Sequence, residues 1–245
     1  VRRGWAAYVL DQARRGGASR SLSPDRGPYA GSDDAFYYNI FRLGTWSPPG
    51  PPQPYPGLAF PTDQAALDQF WFQITDNMGG GSGTEEVRAL HAANLSALLD
   101  RIGPSVLVTH SQSGQYGWAS AMLRPDAVRA VIAYEPNIYA FPDDDPPPPV
   151  STTGMPVPDF TPAQLVPPAR FEALTAIPIQ VVFGDYVRNR PDTEYGAELW
   201  RRVAQRAEQF AEALTRRGGK GEVLHLPDAG ERLQRVAGDR HLAAV

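Results

Sequence analysis

The stretch VLVTHSQSGQYGWASAM, residues 106 to 122, passes from β-formers to small helix-compatible residues through a His-Ser pair, with no proline or strong turn former between them. A serine at such a junction is either a helix N-cap or a nucleophile. The nucleophilic reading needs small residues two before and two after the serine, because a sharp turn presses those backbones against the next strand and helix. Thr109 and Ser113 are both small, although neither is glycine. The same turn would set Ser111 at a helix N-terminus, where the dipole and the free N–H groups stabilise negative charge. The Gln112 N–H is then expected to donate to an oxyanion. Ser113 is the competing nucleophile, one step along. The order strand, His, Ser, variable residue, small residue, Gly in VTHSQSG favours Ser111.

A hydroxyl is a weak nucleophile at neutral pH, so it requires a base within hydrogen-bond reach and an acid to orient that base. Four histidines are available. His91 falls on the helix before the strand, and His110 points away from Ser111 because it directly precedes it, so both read as structural. His225, within EVLHLP, falls in the last strand and is the alternative base. His241, within VAGDRH, lies in a loop beyond that strand and is the preferred one. Two acids follow strand-like runs: Glu135 after VIAY and before Pro136, and Asp185 after VVFG.

The elements that would hold these groups alternate in type. Short apolar runs at 5–11, 105–109, 128–134, 177–183 and 222–226 read as strands. Helical spacing marks 64–76, a segment beginning at Thr84-Glu85-Glu86-Val87 and running to Ile102, 112–123, and 193–217. Alternation of this kind predicts a mostly parallel sheet covered by helices on both faces. One domain over 1–245 is expected, with a proline-rich, lid-like excursion at about 142–168 that is too long for an ordinary connection.

Composition narrows the function. The formal charge is −4, from 23 Lys and Arg against 27 Asp and Glu, and the cations are scattered. Nucleic acid is therefore not an expected partner. The absence of cysteine removes disulfides, Cys nucleophiles and thiolate zinc sites together. No apolar stretch approaches the ~20 residues of a membrane span. The chain opens VRRGWAAYVLDQ without a signal-peptide pattern, so any targeting segment is expected upstream of Val1, and the compartment is not read here.

The residues DQARRGGAS (11–19), VTHSQSG (108–114), YEP (134–136), VVFGDY (181–186) and HLPDAG (225–230) occur in the order found in α/β hydrolases. The chain resembles that superfamily, and within it the bacterial esterases with a Thr-His-Ser-Gln-Ser elbow and a Glu after the sixth strand. The resemblance implies an α/β-hydrolase fold with Ser111 as nucleophile, Glu135 as acid and a late His, His241 ahead of His225, as base. Asp185 holds the commoner superfamily position for the acid and is the alternative. Two departures accompany it. The loop supplying a second oxyanion donor and about three strands are expected upstream of Val1. At the other end, Gly238-Asp239-Arg240-His241 matches the family's Gly-Asn-Ser/Thr-His only with an insertion of about five residues.

The expected activity is hydrolysis of a small-molecule carboxylic ester through an acyl-enzyme, with no cofactor or metal required. Tyr116, Trp118, Tyr139 and Phe141 are candidates either for an apolar substrate pocket or for core packing. A non-catalytic α/β-hydrolase-like binding protein and a lactone or amide hydrolase on the same fold are the rival functions. Association as a homodimer is left open.

Overall fold

A computed structural model describes residues 4–13, 29–30, 34–58, 60–73, 77–78, 83–157, 159, 161–184, 187 and 195–226. Two-residue pairings join β1 (Tyr29–Ala30) to β4 (Asn77–Met78) and β2 (Gly44–Thr45) to β3 (Gln53–Pro54). Around them stand α1 (Asp34–Ile40) and α2 (Gln64–Gln73), followed by α3 (Glu85–Ile102). The chain then alternates through β5 (Ser105–His110), α4 (Gly114–Leu123), β6 (Val128–Tyr134), the paired β7 (Tyr139–Pro142) and β8 (Ala163–Val166), and α5 (Pro168–Glu172). It ends in β9 (Ile179–Phe183), α6 (Tyr195–Arg216) and β10 (Gly221–His225).

The central sheet is wholly parallel, in the order β10-β9-β6-β5. Every neighbouring pair in it is joined through a helix or a long excursion, as parallel strands require. Sequence and structure agree closely at α3. Thr84 Oγ1 accepts the Val87 N–H at 3.3 Å, Glu85 and Glu86 occupy the first turn, and Gly103 at φ 85° ends the helix by donating its N–H to Leu99 O.

Burial sorts the two sheet faces. Along β5, Leu107 is buried while Val106 and Val108 are exposed, the latter to 67%. Residues 114 to 122 of α4 are all buried, so this helix is covered around its circumference and occupies the centre. It packs on the Thr109 side, where a Cβ added to Gly117 would stand 2.9 Å from Thr109 Cγ2. On α6, Val203, Ala207, Phe210 and Leu214 complete the core against β7 and β10. Among the described residues, the opposite face at Val106, Val108 and Tyr134 is exposed.

One expectation needs correction. The apolar run Trp5 to Asp11 forms no strand: Trp5, Tyr8, Val9 and Leu10 are exposed, Val9 to 96%. β-formers make a strand only when a neighbour takes their N–H and C=O groups, and no described strand does so here. For Tyr116, Trp118, Tyr139 and Phe141, where the sequence left pocket and core both open, the structure gives the core. The rings of Trp118, Tyr139 and Phe141 gather on Phe210, with centroids 5.0 to 6.1 Å from it. Tyr116 instead stacks on His91.

The proline-rich excursion lies along α6. Ser151 donates its N–H and hydroxyl to Gln205 Oε1, Arg206 donates to Thr161 O, and Arg216 and Arg217 pair with Asp145 and Asp144. At the centre is Glu198, 0% exposed, which receives Arg201 and Arg202 at 2.6 Å each and the Thr153 N–H at 3.2 Å. Burial alone would raise its pKa. The hydrogen bonds from Arg201, Arg202 and Thr153 more than offset that, holding the carboxyl at about 2 against an ordinary 4.5.

Glu198→Ala strands two arginines against the excursion, and removing one partner of a buried ion pair costs about 3 kcal/mol. Thermal melting at pH 7 should then show a fall of roughly 6–12 °C. Because the folded-state pKa is depressed, the carboxylate's contribution is complete above pH 4.5 and is lost as pH falls toward 2. Glu198→Gln should flatten the loss of stability across that window.

Candidate active site

Ser111 and Glu135 occupy equivalent places on adjacent strands. The register pairs His110 with Tyr134, and each residue in question follows one of that pair at the carboxyl end of its strand. Such strand ends are where ligands sit in open α/β sheets. Both residues are in the left-handed region, Ser111 at φ 51° and Glu135 at φ 47°. A non-glycine residue there costs of order 1 kcal/mol and persists only where its surroundings over-determine it.

Local contacts provide that determination at Ser111. The chain leaves β5 through a short 3₁₀ turn, Ser111–Ser113, before α4 begins. The Ser113 hydroxyl closes the turn by accepting the His110 N–H at 2.9 Å and donating to His110 O at 2.8 Å. Ser113 is thereby committed to the backbone. Among the described residues the Ser111 hydroxyl has no hydrogen-bond partner. Gly114 permits the close approach to the next strand end, since a Cβ there would overlap that of Pro136. The Gln112 N–H lies in the first helical turn, where donors have no intrahelical acceptor.

Glu135 is held by groups from two other elements. Nη2 of Arg42 lies 2.6 Å from both Oε1 and Oε2, and the Gly184 N–H donates to Oε1 at 3.0 Å. The Arg42 and Glu135 side chains are only 13% and 16% exposed. From β7, the buried Tyr139 hydroxyl donates to Pro136 O, and burial and then the Glu135 charge push its pKa well above the usual phenol value.

Arg42 was not anticipated from the sequence. It ends α1, where the Leu43 N–H bonds Tyr38 O and the Arg42 N–H bonds Asn39 O, the two bonds of a Schellman motif. Glycine is the usual occupant of that left-handed position, yet Arg42 holds it at φ 60°. Its guanidinium lies 4.5 Å above the Trp200 ring, and Trp200 Nε1 donates to Ile40 O. Asn39 ties the turn onward by bonding the backbone of Trp46 in both directions. Arg42 lies 93 residues from Glu135 in the chain, and no local spacing marks the pair.

The histidines divide. His225 sits on β10, three strands from β5 and thus about 14 Å across the sheet. Its ring stacks on Phe183, and its Nε2 is 3.8 Å from Glu208 Oε1 on α6. Among the described strands β10 stands at the sheet edge, with β9 and β6 between it and β5. His91 stacks on Tyr116 within the core, with centroids 4.0 Å apart. His241 and Asp185 lie outside the described residues.

No family model matches the chain. Its structure is similar to a solved structure described as a novel bacterial esterase, with TM-score 0.57 and 26% identity, covering 82% of this chain and 50% of that one. This likeness agrees with the α/β-hydrolase-like fold of a parallel sheet flanked by helices. A 41-residue segment, 17% of the chain, is 56% identical to the protein named "Probable secreted lipase phiG" from Fungal sp. (strain ATCC 74256), where it spans 11% of the length. The chain thus spans half the length of the solved esterase and a small part of the lipase. No helix among the described residues is long and apolar enough to cross a membrane.

Proposed function

We propose that the protein is a serine hydrolase that cleaves carboxylic esters of small molecules through an acyl-enzyme. The observation that carries the reading is the pairing of Ser111 and Glu135, both at positive φ, on neighbouring strand ends at the carboxyl edge of a parallel sheet. The esterase and lipase likenesses support it. The turn at Ser111 acts as a nucleophile elbow, with Gln112 N–H as one oxyanion donor. Ser111 Oγ attacks the ester carbonyl while His241 takes its proton, and the tetrahedral intermediate collapses with loss of the alcohol. Water, activated by the same imidazole, then releases the acid. Glu135 fixes the imidazole tautomer and stabilises its charged form, with Asp185 the alternative for that role.

A fluorophosphonate probe followed by peptide mapping tests the proposal. One label per chain, on Ser111, is the expected result. No label, or a label on Ser113, counts against it. A panel of p-nitrophenyl esters, lactones and anilides should show hydrolysis of the esters foremost; a preference for lactones or anilides would move the protein to another chemistry on the same fold.

A further inference from the structure

Three non-glycine residues among those described have positive φ: Ser111, Glu135 and Arg42. The first two are neighbours through the sheet register, and the third reaches Glu135 by its side chain, from a helix end far away in sequence. Backbone strain maintained at three converging points is characteristic of a site held in a particular geometry. Arg42 is held there by its surroundings: the Trp200 ring lies against the guanidinium, the Glu135 carboxylate meets its Nη2, and Gly196 lets α6 close on α1 so tightly that a Cβ there would meet Asn39 O at 2.7 Å.

Among the described residues, Oε1 of the carboxylate accepts from Arg42 and the Gly184 N–H, and Oε2 accepts from Arg42. We propose that Arg42 is a positioning residue, whose Nη2 spans both oxygens of Glu135 and holds the carboxylate in the orientation in which it serves the catalytic imidazole. The inference rests on the serine-hydrolase reading given above. Arg42 touches neither substrate nor the reacting atoms; it acts through Glu135.

Two consequences separate this role from a merely structural one. Chelation holds the carboxylate in a single rotamer, so its loss lowers kcat more than it alters KM. The guanidinium also offsets the charge of Glu135, so an imidazole bonded to that carboxylate stays neutral to lower pH. Among the described residues, the other groups facing Glu135 are the Gly184 N–H from the end of β9, which does not titrate, and the Tyr139 hydroxyl from β7, which stays protonated in the relevant range.

The test compares wild type, Arg42→Gln and Arg42→Lys by the pH dependence of p-nitrophenyl ester hydrolysis and of fluorophosphonate labelling, with melting curves to read folding. In Arg42→Gln the acid limb of kcat/KM should move up by about one pH unit. Its kcat should fall 10- to 100-fold, with KM within threefold of wild type. Arg42→Lys keeps the charge without the planar guanidinium that lies over Trp200, so the acid limb should return to the wild-type position while kcat stays below wild type. An unmoved acid limb in Arg42→Gln with kcat within twofold of wild type overturns the proposal. So do equal losses in both variants that track a loss of melting temperature. Should Arg42→Gln not fold, Arg42→Lys decides: kcat equal to wild type overturns the role, and reduced kcat at an unshifted acid limb supports it. Ser111 labelling in wild type that is indifferent to Arg42 sinks this inference alone, whereas no labelling of wild type sinks the hydrolase reading and this inference with it.

Discussion

Ser111→Ala is expected to lower turnover of a p-nitrophenyl ester by on the order of a millionfold, to the level left by binding and oxyanion donors alone. The magnitude follows from the unit behaviour of a nucleophile, its base and its acid. With the hydroxyl gone, a positioned imidazole has no proton to accept and the covalent route closes. Stability should respond differently. Alanine at φ 51° is strained as serine is, so Ser111→Ala should melt within a degree or two of wild type. Ser111→Gly relieves the left-handed conformation and should melt higher by the equivalent of about 1 kcal/mol. Activity lost while stability is unchanged or raised identifies a residue kept for chemistry. A Ser111→Ala variant with more than a tenth of wild-type turnover would return Ser111 to the role of an N-cap.

Glu135→Gln is expected to reduce kcat by about ten-thousandfold, as when the acid behind a catalytic imidazole becomes an amide and the wrong tautomer is favoured. Here the substitution also unpairs Arg42, whose side chain is 13% exposed and whose Nη2 contacts both carboxylate oxygens. A cost of about 2 kcal/mol is expected from leaving that charge without its partner. Steady-state kinetics and melting, measured on the same preparation, read the two effects separately. If Asp185→Asn shows the large kinetic loss and Glu135→Gln only the thermal one, the acid role passes to Asp185 and the Arg42–Glu135 pair becomes a structural tie.

Much of this arrangement was legible without coordinates because the relevant signals are local. The start signal at Thr84 and the apolar face running to Ile102 mark the two ends of α3, and the apolar period of α6 predicts it to within a few residues. The strands β5, β6 and β9 are short apolar runs, rich in β-branched residues, of the kind a parallel sheet is built from. The candidate nucleophile and the two candidate acids, Glu135 and Asp185, could be named for the same reason, since each follows such a run; the resemblance to α/β hydrolases then put Glu135 first. The run Trp5 to Asp11 shows the limit of local reading. Its composition matches the other strands, yet it is exposed, because pairing is a property of two segments rather than one. Likewise the aromatic residues after the elbow suited a pocket and a core equally by type. Phe210, arriving from α6, drew Trp118, Tyr139 and Phe141 into the core.

The sequence by itself determined the elements that carry Ser111 and Glu135 and their order along the chain, since helix caps, apolar period and strand ends are written over a few residues. The tertiary structure decided what surrounds them. It placed Ser111 and Glu135 side by side through strand register, turned Ser113 to the backbone, and set His225 at the far sheet edge. It also brought Arg42 onto Glu135 across 93 residues. The reason is physical: an ion pair between distant segments depends on how whole helices and strands pack. No local propensity encodes that packing.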